Sequence, residues 1–534
     1  MIAVAEQQQS MAVIVDNMIF PLYSSSDCPI MFVGMAPIAK DGYSYAKFNA
    51  GKIKENEPFL RAPASDDTPH EFYNRTWNSV TVAKFPSVLP PLPVIDRIQS
   101  DLHVDGQIPT LYFAANQNDV DTMHNDSSSD ISVLTNMTYL GLQKLKTLVG
   151  VEIKLSGRAS RSDPKLSYNI KIPKKSDLFG YRRLKLRSLS TDPSYIREQI
   201  TYDVLKSVGL PATGFSFARV FINNNPLGLF GLIENYKNPW LKNEFGGGSQ
   251  YKRGILYQGM SFGEQLKLDG PSSDLSYRGD NQTLYADGTY NIKEKPNTGN
   301  LSDYTQLMEF TRFLAEAPTT SADALQTWQK FIDTECLVRN MAIEILLGFA
   351  DGYTTTVNNY YMYYVTQDQR FLYIPSDVNY SFGSTIVNLT QMWNGNYYKY
   401  PGMSLNRPLV QKMLDVPQLK QRFEDILINI CKNLFNINVM NRRIDDLISM
   451  IREDVLWDKS LARVNANTPE HLPDRVPAPI DLDMLSEVNT RQLQDNITLD
   501  MAVKGPTGYA SLTGVKEWIS HQSGEILAYL NFTA

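Results

Sequence analysis

The chain has 534 residues, enough for more than one domain, and its 43% hydrophobic content supplies a large core. A formal net charge of -6 and a pI near 5.6 argue against nucleic-acid binding as a main role. No long uninterrupted apolar run occurs, so no transmembrane span is expected, and Cys28, Cys336 and Cys431 lack zinc-site spacing.

Ala3-Val4-Ala5 before Glu6 has the small-x-small form of a cleavage site. Its hydrophobic region would lie upstream of Met1, so the signal peptide is read as missing from this chain. Nine Asn-x-Ser/Thr sequons, at Asn74, Asn125, Asn136, Asn281, Asn300, Asn379, Asn388, Asn496 and Asn531, support a secreted or cell-surface glycoprotein. Between residues 11 and 85, the runs AVIVDNMIFPLY, PIMFVGMAPI, YSYAKF and SVTVAKF read as strands of a small Ig-like β-sandwich, domain 1–85. The proline-rich stretch that opens at Phe85-Pro86 reads as a stiff linker over 86–107. Asn116–Asp130 reads as a polar surface loop.

From about residue 108 to 534 the pattern is α+β. Val151–Leu155 and Ser167–Ile172 read as paired strands. Asp192-Pro193 opens a helix whose stripe Ile196, Ile200, Val204 and Val208 ends at Gly209. Ala218–Ile222 and Leu229–Glu234 form a hairpin. A polar insertion loop occupies about 245–300, and the chain from about 301 onward is helical apart from one hairpin. Strands, one helix, a hairpin and a helical lobe make an atypical two-lobed protein-kinase-like domain, with an N-lobe over about 108–240.

The chemistry concentrates between Ile343 and Gly383. A helical run ends near Gly348, Asp351 follows, then Asn358 and Asn359, then strands Tyr360–Tyr364 and Arg370–Ile374, then Pro375 and Asp377. In protein kinases the same order places a loop Asp at the substrate hydroxyl, and an Asn and a second Asp on magnesium. Upstream, Gly157-Arg158-Ala159-Ser160 has a glycine that lets backbone approach a phosphate, with Arg158 and Ser160 as donors. The basic residues Lys171, Lys174, Lys175, Arg182, Arg183, Lys185 and Arg187 read first as a solvated strand edge. Gly259-Met260-Ser261-Phe262-Gly263 has the spelling of a nucleophile elbow, but Asp269-Gly270-Pro271 stops the helix that an elbow needs.

These motifs resemble the CotH family of spore-coat kinases. The signature N-x-D…N-Y-Y-x-Y…P-W-D-x-D-x-x-x-G is matched by Phe349-Ala350-Asp351, Asn359-Tyr360-Tyr361-Met362-Tyr363 and Pro375-Ser376-Asp377-Val378-Asn379 with Gly383. Ser376 replaces Trp and Asn379 replaces the second Asp, which puts a second metal in question. The resemblance covers about four-fifths of the chain, from Ile108 to Leu530. It implies a protein kinase using ATP and Mg2+ on Ser or Thr of a partner protein. Asp351 would be catalytic, and Asp377, Asn359 and Asn379 would hold the metal. Lys165 would be the strand lysine on the phosphates, pairing with Glu198 of the helix. Gly228–Glu234 resembles the hinge segment, with Glu234 meeting adenine. Fungal surface members carry an exposed invasin motif and a glycolipid anchor. Here Asp269-Gly270 and Arg278-Gly279-Asp280-Asn281 resemble that motif at longer spacing, so the alternative is an adhesin that binds a host-cell surface receptor. The anchor's hydrophobic tail is not in the sequence and is expected to have been lost by truncation.

Overall fold

Asp16 and Asn17 both take positive φ, 48° and 64°, and turn the first strand back on the second. The run AVIVDNMIFPLY is therefore two strands, β1 (Gln9–Val15) and β2 (Met18–Ser24), paired antiparallel. The computed structural model describes residues 1–3, 9–49, 51–157, 159–261, 270–297, 303–465, 476–494 and 496–531. With β3 (Phe32–Val33), β4 (Tyr43–Asn49) and β5 (Lys52–Asn56), the N-terminal segment forms one sheet in the order β3-β2-β1-β4-β5. The expected sandwich is not seen among the described residues. Met11, Val13 and Tyr45 are buried on one side of this sheet, and Ala12, Ala46 and Phe48 cluster separately. PIMFVGMAPI yields only the two residues of β3, and SVTVAKF is irregular.

The stretch 86–107 does not stand free as a spacer. Its Leu89, Leu92 and Leu102 are buried in the main core, and the amides of Val88 and Leu92 donate to the carbonyls of Ser207 and Gly209 at 2.8 and 3.0 Å. Seven strands follow: β6 (Thr110–Ala115), β7 (Ser132–Leu140), β8 (Leu145–Ser156), β9 (Ser167–Lys171), β10 (Arg183–Arg187), β11 (Phe215–Ile222) and β12 (Asn225–Glu234). They close a barrel in the order β10-β12-β11-β6-β7-β8-β9. The strands Val151–Leu155 and Ser167–Ile172 do pair, and the hairpin around Asn223 forms, with Asn223 at φ 53°. The polar segment read as a surface loop contains a helix, α1 (Gln117–Asn125), because Asn116 caps it by accepting from the amides of Asn118 and Asp119. α2 (Arg197–Ser207) starts later than expected. Asp192 is the acceptor for the amides of Ser194 and Arg197, both at 2.9 Å, so it orders the turn before the helix and holds the first amide of the helix.

α3 (Trp240–Phe245) leads to β13 (Ile255–Gly259) and β14 (Tyr290–Glu294), so the segment read as an insertion loop supplies two strands. These join β15 (Tyr360–Val365) and β16 (Arg370–Pro375) in a sheet ordered β14-β13-β15-β16. The remainder is helical: α4 (Thr305–Glu316), α5 (Ala324–Phe331), α6 (Thr334–Leu347), α7 (Tyr353–Thr356), α8 (Leu389–Met392), α9 (Pro408–Asp415), α10 (Pro417–Asn433), α11 (Ile437–Ser460), α12 (Leu482–Gln494), α13 (Leu499–Lys504) and α14 (Val515–Tyr529). One contiguous core runs through barrel and helices. A buried carboxylate, Asp454 of α11, joins the N-terminal segment to the barrel. It accepts from Nε of Arg75 at 2.9 Å and of Arg219 at 2.7 Å, while Trp457 packs on Phe72 and Phe221. The class is α+β. Among the described residues no helix is long and apolar enough to cross a membrane, and all three cysteines are buried free thiols.

Candidate functional site

α6 begins at Asp333, whose carboxylate accepts from the amide of Cys336 at 2.9 Å, and ends at Gly348 with φ 67°. A β-carbon at Gly348 would lie 2.4 Å from the Trp518 ring, so glycine is required on both counts. Three main-chain bonds then gather the segments that follow. Phe382 donates to Leu347 at 2.6 Å, Ala350 to Tyr380 at 3.1 Å, and Ser376 to Asn359 at 2.8 Å. They bring Asp351, Asn359 and Asp377 to the wall of one small pocket, with Phe349, Tyr373 and Tyr380. Val357, Asn359, Asp377 and Phe382 all hold positive φ between 48° and 53°. Backbone strain of this kind concentrates where side-chain placement is over-determined.

Asp351 is half-buried and well supported. Oδ1 accepts from Thr356 Oγ1 at 2.6 Å, and Oδ2 accepts from Asn358 and Asn359 Nδ2 at 3.1 and 2.7 Å. Burial outweighs these bonds and pushes its pKa up to about 6. Thr356 sits on α7, and α7 is itself held by Glu344 of α6, which accepts from the Thr354 amide at 2.5 Å. Burial raises Glu344 to about 7. Asp377 has the opposite electrostatics. Burial opposes its charge, but Arg187 at 2.5 Å and Lys185 at 3.5 Å hold its pKa down to about 2. Arg187 also reaches Glu198 of α2 at 3.0 Å. Burial first, and then the charge of Asp377, push Glu198 upward.

The pairing of Lys165 with Glu198 is not formed. Lys165 Nζ donates to Asp458 at 2.6 Å and to the Leu229 carbonyl at 2.5 Å, and burial lowers it to about 8. The cations opposite Asp377 are Lys185 and Arg187, which sequence reading had placed on a solvated strand edge. The usable signal was the alternation Arg-Leu-Lys-Leu-Arg over 183–187, which in a strand puts all three cations on one face just before α2. Glu234 does end β12, but its carboxylate is engaged. It accepts from Thr213 Oγ1 and, at 2.5 Å, from the Gly214 amide, and lies 3.3 Å from His103 Nε2. Asn379 donates to Thr191 Oγ1 at 3.1 Å, and Ser381 of its sequon is buried. Ser160 lies in the short turn between β8 and β9, while Arg158 and Asp269 fall outside the described residues. Gly270 precedes a loop in which Arg278 pairs with Asp287 at 2.9 Å, Asp280 pairs with Arg312, and Asn281 caps the next turn.

The sequence model of the CotH family, described as CotH kinase protein, matches residues 153–477. The chain belongs to the CotH family. The CotH match begins in β8 and extends beyond α11, so it takes in Asp351, Asn359, Asp377 and Arg187. Spore coat protein homolog 1 of Rhizopus delemar is 22% identical over 518 residues, 95% of this chain and 78% of the relative. Invasin CotH3 of the same fungus is 25% identical over 451 residues, 81% of this chain and 70% of the relative. Inner spore coat protein H of Bacillus subtilis is 22% identical over 308 residues, 58% of this chain and 78% of the relative.

Proposed function

We propose that the chain is an atypical protein kinase that transfers the γ-phosphoryl group of Mg-ATP to a Ser or Thr hydroxyl of a partner protein. One observation carries this reading: Asp351, Asn359 and Asp377 share a pocket, and Asp377 is met by a strand arginine that also pairs with a helix glutamate. In this reading the barrel strands β6 to β12 with α2 form the small lobe, the turn between β8 and β9 lies over the phosphates, and the helices form the large lobe.

The donor set suits one magnesium ion. Asp377 stays ionised, and Asn359 uses its amide nitrogen on Asp351 while its side-chain oxygen has no hydrogen bond among the described residues. Mg-ATP supplies the transferable phosphoryl group. Asp351 accepts the hydroxyl proton as the new O–P bond forms and ADP leaves. Lys185 and Arg187 are the cations for phosphate oxygens. Calorimetry with ATP, with and without magnesium, tests the reading. Magnesium-dependent binding that disappears in Asp377→Ala is expected, and no binding by the unaltered chain would overturn it.

The relatives' names favour a second reading, an adhesin at a cell surface or spore coat. Arg278 and Asp280 are tied into ion pairs, but the Asp280 side chain is 72% exposed. Host-cell binding that survives Asp377→Ala would assign adhesion to this scaffold independently of phosphotransfer.

A further inference from the structure

Arg183, Lys185 and Arg187 of β10 alternate with the buried Leu184 and Leu186, so the three cations share one face. Lys185 and Arg187 reach Asp377, and Arg183 continues the row outward. Strand register places Lys171 of β9 opposite Arg183, and Glu152 of β8 opposite Lys171. The Asn235 amide donates to the Arg183 carbonyl at 2.9 Å, which brings the exposed Lys237 alongside. Lys174 and Lys175, both exposed, lie in the turn between β9 and β10.

The acids nearby are already engaged. Glu152 takes Lys171 at 2.8 Å, Asp130 takes Lys154 at 3.3 Å together with Arg161, Glu294 takes Arg253 at 3.3 Å, and Asp177, in the turn of Lys174 and Lys175, takes Lys146 at 3.6 Å. Among the described residues, Arg183, Lys237, Lys174 and Lys175 have no carboxylate within ion-pair distance. The cations crowd one another as a result. Burial, and then Arg182, lowers the pKa of Arg183; burial, and then Arg183 and Lys154, lowers that of Lys237. This excess of positive charge sits on a chain whose net charge is -6.

We infer that the face around Arg183, Lys237, Lys174 and Lys175 docks an acidic segment of a partner protein, with its Asp and Glu carboxylates laid along β10 toward the pocket of Asp351. The cations are strung along a strand and its turn instead of converging on a point, which suits an extended chain better than a single phosphate group. Alternate side chains of an extended partner recur every ~7 Å, the same interval as Arg183 and Lys185. Local charge of one sign also speeds encounter with such a partner.

The test is fluorescence anisotropy on the full chain with a labelled Glu/Ser-rich peptide and, as control, the matching Lys/Ser-rich peptide. It needs no phosphotransfer, so it stands or falls apart from the kinase reading. Binding of the acidic peptide alone is expected, weakening with salt. The double variant Arg183→Ser/Lys237→Ser should weaken it about tenfold, a change of roughly 1.4 kcal/mol. Lys174→Ser/Lys175→Ser, on an exposed turn, should weaken it several-fold and guards against a folding failure in the first variant. Lys52→Ser/Lys54→Ser, on β5, should leave it unchanged. Equal loss in the β5 variant would overturn the proposal by reducing it to net charge. So would equally tight binding of single-stranded RNA, complete displacement by tripolyphosphate, or a shift in oligomeric state with Arg183→Ser/Lys237→Ser, which would assign the face to a second copy of the chain.

Discussion

Asp377 and Asp458 are both carboxylates met by two cations, and they differ in everything that decides a role. Asp458 is fully buried. It accepts from Lys165 at 2.6 Å, from the Leu229 amide at 2.8 Å, from Tyr195 at 2.7 Å and from Arg463 at 3.0 Å. A β-carbon at Gly228, φ 109°, would lie 1.9 Å from its Oδ1, so the chain has been cut to fit around it. Asp377 has a side chain 37% exposed, sits on a positive-φ residue and borders a pocket. A carboxylate whose acceptor positions are filled and sealed from solvent holds structure together. One that keeps an open side, at the cost of backbone strain, is available to a ligand.

The comparison can be broken most severely at the neighbour of Asp377. Asp351→Asn should lower kcat about 10^3-fold with little change in the KM for ATP, measured by phosphate transfer to an acceptor peptide. In the unaltered chain, the raised pKa of Asp351 means its carboxylate form is lost as the pH falls through about 6, and the proposed phosphotransfer should fall about tenfold per unit below that. Asp458→Ala should act on the other side of the contrast. It leaves Lys165 buried without its partner and should cost about 3 kcal/mol in denaturant unfolding, while the proposed binding of Mg-ATP by the folded fraction should keep its affinity. Because the Asp458 pKa is held below the ordinary carboxylate range, its contribution is fully present above that range and is lost as the pH falls from it through the lowered folded-state pKa. A loss of ATP affinity in Asp458→Ala, with stability intact, would erase the distinction. The smallest effect sharpens it: Arg187→Lys keeps the charge but loses the fork that spans Asp377 and Glu198, and should raise the KM for ATP about tenfold.

Much of the pocket was legible because its residues lie close in sequence. A helix stop, an Asp, two Asn, a hairpin and an Asp within about forty residues impose their own geometry, and Gly348 and Pro375 mark where the elements end. The cation opposite was not legible. Lys165, Lys185 and Arg187 are equally plausible by residue type, and strand register combined with barrel closure selects the latter two. The N-terminal sheet was misread for a local reason, since Asp16-Asn17 hid a two-residue turn inside one apolar run. The strap over 86–107 carries the composition of a spacer, and only its docking on the Ser207–Gly209 turn distinguishes it from one.

The buried carboxylate of Asp454 sets a timetable for synthesis. β12 pairs with both β10 and β11, so the barrel cannot close until residues near 234 have left the ribosome. Arg75 and Arg219 then lack their shared counter-ion until α11 has been made. More than three-quarters of the chain must therefore emerge before its first hundred residues reach their final state. During that interval the barrel lacks the α11 residues that pack against it and is a natural client for a chaperone.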